Sequence, residues 1–148
     1  MTLGQENQGN EKKLKHLEFI QNAISRMGSN SFKIKGWYIT VFTATIALAV
    51  DSGKWLYILV AYIPLFLFWS LDAYYLQQER RFRDIYDIVA LEEESQINFD
   101  MRKGITPQCI GKMAFSKTIW PLYLIPGIIL TIVVVIILVL LSIGVPVV

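Results

Sequence analysis

Residues 68–87 read FWSLDAYYLQQERRFRDIYD. The stretch opens as lipid-compatible sequence and closes as one of the most charged runs in the chain. No Gly or Pro separates the halves, so the reading that decides the fold is a single helix leaving a bilayer and continuing into water. After Leu71 the apolar positions Tyr75, Phe82, Ile85 or Tyr86, and Val89 recur at helical spacing. Glu79, Arg80, Arg83, Asp84 and Asp87 occupy the other side, which makes the second half amphipathic.

Composition agrees with a membrane origin for the first half. Of the 148 residues 54% are apolar and 18% charged, and mean hydropathy is +0.45. Soluble domains carry about 25% charged residues. The charge is also unevenly spread: no Asp, Glu, Lys, Arg or His occurs from Thr118 to Val148. Net charge is only +2, too little to imply nucleic-acid binding by itself. The single cysteine, Cys109, excludes an internal disulfide and argues against a cysteine-rich metal site. Residues Met1 to Glu18 are polar and contain no signal-peptide core.

A helix needs roughly 20 apolar residues to cross a bilayer. Three segments qualify. The first is Gly36 to Val50, extended by Phe32 and Ile34, with Lys33 and Lys35 snorkelling to headgroups. The second is Trp55 to Leu71 and the third Ile119 to Ile143. Asp51 to Lys54, DSGK, joins the first two as a tight turn, so they form an antiparallel hairpin. Trp37, Trp55, Trp69 and Trp120, with nearby tyrosines, mark interfaces.

Six Lys and Arg residues precede the first span, one lies in the hairpin loop and seven lie between the second and third spans; none follows. The positive-inside rule puts the N-terminus and central segment in the cytoplasm and the C-terminus outside. The expected fold is an all-α membrane protein: three transmembrane helices with cytosolic amphipathic helical stalks, assembled as an oligomer. Residues 1–31 form the N-terminal stalk, 32–71 the transmembrane hairpin, 72–118 the second stalk and connecting loop, and 119–148 the third span.

The N-terminal stalk carries Leu14, Leu17, Ile20, Ile24 and Met27 as its apolar stripe. Gly28 reads as its stop and Ser29 or Ser31 as a cap for the next helix. The two stalks are expected to bury each other's stripes, or to join several copies. Glu92-Glu93-Glu94 reads as a solvated helix end. Ser95 to Lys117, with Gly104, Pro107 and Gly111, reads as an irregular return with a short helix around Ile110 to Phe115.

No phosphate loop, metal cluster or nucleophile–base pair is visible, so neither an enzyme nor a cofactor is expected. His16 reads as a surface residue. Asp72, at the membrane edge, has two readings: interfacial solvation or pairing with Lys33, Lys35 or Lys117, or a charged ring or gating pair at the inner mouth of an oligomeric pore. Arg80, Arg81 and Arg83 suit anionic lipid headgroups or an anionic cytosolic ligand such as a nucleotide or oligonucleotide. Thr40, Thr43, Ala44 and Ala47 form a small-residue face for helix packing or pore lining. Pro64, Pro121, Pro126 and Gly127 are candidate hinges.

HLEFIQNAISRM, FKIKGW, the hairpin and FWSLDAYYLQQERRFRDIYD together resemble a family of small bacterial membrane proteins of antiphage operons. Hailong-type channel effectors and the membrane partners of TIR-domain enzymes are the comparisons. The resemblance covers Lys15 to Asp87. It implies an oligomeric inner-membrane effector, encoded beside an enzyme that makes a nucleotide signal and held closed until infection changes a cytosolic ligand. Opening would permeabilise the membrane. The rival reading is a non-conducting anchor or scaffold that recruits a soluble enzyme.

Overall fold

A computed structural model describes residues 3–91 and 110–144. Among the described residues there are helices and turns but no strand. Helix α1 spans Leu3–Asp51; a 3-10 stretch covers Trp55–Ala61 and leads directly into α2, Tyr62–Leu91. The short α3, Ile110–Ala114, precedes α4, Trp120–Ser142. Three helical runs, Gly9–Asp51, Trp55–Leu91 and Trp120–Ser142, are long and apolar enough to cross a membrane. Glu92-Glu93-Glu94, Gly104, Pro107 and Cys109 lie outside the described residues.

Continuity of α1 corrects the expected stop at Gly28 and cap at Ser29 or Ser31. An interior glycine costs a helix only about 1 kcal/mol, and long helical sequence flanks this one. Gly28 instead admits the Glu79 side chain: a Cβ there would lie 3.7 Å from Glu79 Oε2. The hairpin turn is as expected. Ser52 and Gly53 donate their N–H groups to the carbonyls of Leu48 and Val50, and Gly53 adopts φ +62°, the left-handed conformation that ends α1.

Pro64 falls in the first turn of α2, where a missing N–H is tolerated. It therefore marks the change from 3-10 to α geometry rather than a kink inside α2. Pro121 likewise occupies the first turn of α4, while Pro126 lies inside that helix.

The chain forms two compact units. One comprises Met1–Asn30 and Tyr75–Cys109, the other Ser31–Tyr74 and Ile110–Val148. In the first unit, Ile20, Ile85 and Val89 are buried, with Leu17, Ile24, Phe82 and Tyr86 packed around them. The amphipathic segments of α1 and α2 do cover each other's stripes. Two positions differ from expectation: Leu14 is 64% exposed and His16 is 2% exposed. At about 100° per residue, His16 lies roughly 40° from Ile20 around the helix and Leu14 roughly 120°. The histidine faces the partner helix and the leucine does not.

In the second unit, the first part of α2 packs antiparallel to α1, and α4 packs on the 3-10 stretch. Its buried side chains include Tyr38, Leu65, Asp72, Ile119 and Tyr123. Much of α4 faces outward, with Ile128, Ile129, Ile132, Val135 and Ile136 each about half exposed. Such a surface is stable against hydrocarbon and costly against water.

Candidate functional site: a carboxylate shared by three helices

Asp72 is fully buried in the second unit. One turn after Trp69 in α2, its side chain points among α1 and α4. Lys35 Nζ lies 2.7 Å from Oδ1 and 2.7 Å from Oδ2. Ser31, one helical turn before Lys35, donates its hydroxyl to Oδ1 at 2.5 Å. Tyr123 of α4 donates to Oδ2 at 3.3 Å. Lys35 also donates to Ser31 Oγ at 2.7 Å. Desolvating a carboxylate costs several kcal/mol unless a counter-charge and hydrogen bonds compensate it. Here one cation and two hydroxyls do so, and the three segments that carry them are thereby tied to one point.

Of the three lysines expected as partners of Asp72, Lys35 makes the ion pair. Lys35 and the two hydroxyls tie α1, α2 and α4 together at Asp72. The sequence offered Ser31 as a cap, Lys35 as a snorkelling residue and one of three candidate partners of Asp72, and Tyr123 as an interfacial residue. The spacing Ser31–Lys35, placing both on one face opposite a lone membrane-edge aspartate, was the signal available.

Aromatic rings extend the cluster. Tyr38 and Tyr123 lie 4.6 Å apart between centroids, and Tyr38 also contacts Phe42 and Phe68. The Tyr38 hydroxyl is buried and makes no hydrogen bond among the described residues. Trp69 stacks on Tyr123 and donates its indole N–H to the carbonyl of Ala114 at 3.0 Å. Trp69 thus packs partly within the chain, whereas Trp37 is 64% exposed.

The arginine cluster belongs to the other unit. Arg83 pairs with Glu79 at 2.5 Å, i to i+4 on α2, and its side chain is 61% exposed. Arg80 and Arg81 are half-buried. No cluster of three or more metal-ligating side chains occurs among the described residues.

Thr40, Thr43, Ala44 and Ala47 are all exposed, as is Gly36 at the same face. Thr40 returns its hydroxyl to the Gly36 carbonyl at 3.1 Å, which removes the cost of presenting it to lipid. At about 100° per residue this face lies opposite the side of α1 that carries Ser31, Tyr38, Phe42 and Ala49. Gly127, in α4, makes a close approach: a Cβ there would stand 3.4 Å from Leu65 Cδ1.

No protein family, curated protein or solved structure matches the chain.

Proposed function

We propose that this chain is one subunit of a homo-oligomeric inner-membrane effector, with its N-terminus cytoplasmic, that opens an ion path in antiphage defence. Its trigger is an anionic, nucleotide-type ligand, taken up at the segment of α2 bearing Arg80, Arg81 and Arg83 and made by a partner enzyme encoded nearby. The identity of the trigger and the defence setting rest on the resemblance of residues 15–87.

The observation that carries the oligomeric part is the outward small-residue face of α1. Gly36, Thr40, Thr43, Ala44 and Ala47 are left uncovered on one face of α1, opposite the side that packs Ser31, Tyr38 and Ala49, and the exposed Trp37, Ile39 and Leu48 flank them. Small residues at this spacing let helix backbones approach closely in lipid, where van der Waals contact drives association. Three helices enclose no wide aqueous path, so conduction requires several copies. In this reading the Lys35–Asp72 pair keeps each subunit's spans in register, and a ligand acts only if it binds the open and closed assemblies differently.

The test is crosslinking in native membranes together with planar-bilayer recording. Wild type should crosslink as a discrete oligomer and pass ligand-sensitive currents; Thr40→Leu combined with Ala44→Leu should abolish both. A monomeric wild type, or an oligomer indifferent to those substitutions, overturns the interface. An oligomer without currents under every ligand condition overturns the channel and leaves the scaffold.

A further inference from the structure

The second unit contains a groove of about 300 Å³ between α2 and α4, lined chiefly by Tyr62, Phe66, Trp69, Gly127, Ile128 and Thr131. Its few polar atoms are already engaged. Thr131 donates to the Gly127 carbonyl at 2.8 Å, and the Tyr62 hydroxyl lies 2.8 Å from Thr131 Oγ1. The lining therefore offers a ligand only apolar surface. Both walls belong to helical runs long and apolar enough to cross a membrane. An unfilled groove there would forfeit dispersion contacts along its length.

One end of the groove is distinguished by charge. Trp69, part of the lining, donates to Ala114 and meets Phe115 edge-on at 5.7 Å. The segment it holds carries Lys112 two residues before Ala114 and Lys117 three residues after it, both exposed. Lys33 of α1 is exposed as well. Among the described residues of this unit, the only acidic group on that side is Asp72, buried and bonded to Lys35. At the opposite end, near the hairpin turn, Asp51 and Lys54 balance each other. An apolar slot with a surplus of lysine at one mouth matches an amphiphile with a negative head.

We propose that this groove seats one acyl chain of an anionic glycerophospholipid, whose phosphate lies against Lys112 and Lys117. The site is independent of the oligomeric reading. Lipid that merely surrounds the protein would not distinguish headgroups beyond the general surface attraction, and would not depend on the shape of the groove.

The experiment uses full-length protein with Trp37→Phe, Trp55→Phe and Trp120→Phe, so that Trp69 is the remaining fluorophore. It is reconstituted with dibromo-acyl phosphatidylglycerol or dibromo-acyl phosphatidylcholine, and quenching of Trp69 is compared. Bromine in the groove quenches at contact. Phosphatidylglycerol should be preferred, by about fivefold for each lysine that reaches the headgroup. Lys112→Gln with Lys117→Gln should bring the ratio close to one. Ile128→Trp read as a fill of the groove would add a second fluorophore, so Ile128→Phe is used instead; it should lower quenching by both lipids while the helical circular-dichroism signal is unchanged. Equal quenching by the two lipids overturns the proposal. A preference that survives the double lysine change overturns the headgroup assignment, and quenching unaffected by Ile128→Phe overturns the groove as the seat.

Discussion

Lys35 Nζ bridges both oxygens of Asp72, at 2.7 Å to each. The carboxylate has no solvent exposure, whereas the lysine side chain retains 21%. Removing either partner leaves the other charge uncompensated. Lys35→Met and Asp72→Leu should each destabilise the protein by ~3–5 kcal/mol. The double variant, with an apolar pair in place of the ions, should be markedly less damaged than the sum of the two. Thermal unfolding in a mild detergent, run as a double-mutant cycle, measures the coupling. Additive losses would show that the pair is not what holds α1 to α2.

Tyr38 presents the reverse case. Its hydroxyl is buried and makes no hydrogen bond among the described residues, while its ring packs on Tyr123. Tyr38→Phe keeps the ring contacts and removes a desolvated hydroxyl. The variant should be neutral or more stable by ~1 kcal/mol. A loss of that size in the same unfolding assay would mean that the hydroxyl has a partner in the membrane-embedded protein.

The packing of the first unit separates residues that look alike in sequence. Ile85 is 1% exposed and Leu14 is 64% exposed. Ile85→Ala should cost ~2–5 kcal/mol through lost contact and the cavity left behind. Leu14→Ala should stay within ~0.5 kcal/mol of wild type. Limited proteolysis of the two variants in membranes reports the difference, and equal sensitivity would contradict the packing.

Gly28 and Gly53 should respond oppositely to alanine. Gly28 lies inside α1, and a Cβ would make only an ordinary contact with Glu79. Gly28→Ala should stabilise the helix by ~0.5–1 kcal/mol. Gly53 has φ +62°, where any side chain is strained, so Gly53→Ala should destabilise the hairpin by ~1 kcal/mol. Thermal unfolding of the two single variants gives both signs.

Local chemistry made much of the fold legible. The uncharged run from Thr118 onward announced α4, because nothing in it needs water. Ser52-Gly53 announced the turn, because glycine reaches a left-handed conformation without penalty. The absence of a breaker after Leu71 announced the continuity of α2 through Leu91. The same local reasoning misled at Gly28, where a modest propensity cost is outweighed by the helix on both sides.

By itself the sequence determined how many helical runs can cross a bilayer and where the hairpin turns, since hydropathy and turn geometry act over a few residues. Only the tertiary structure decided which of three lysines answers Asp72, that Ser31 and Tyr123 join them, and that His16 rather than Leu14 faces the partner helix. Those outcomes depend on the rotation and register of helices far apart in sequence. A residue's spacing states which face of its own helix it occupies; what meets that face is set by packing.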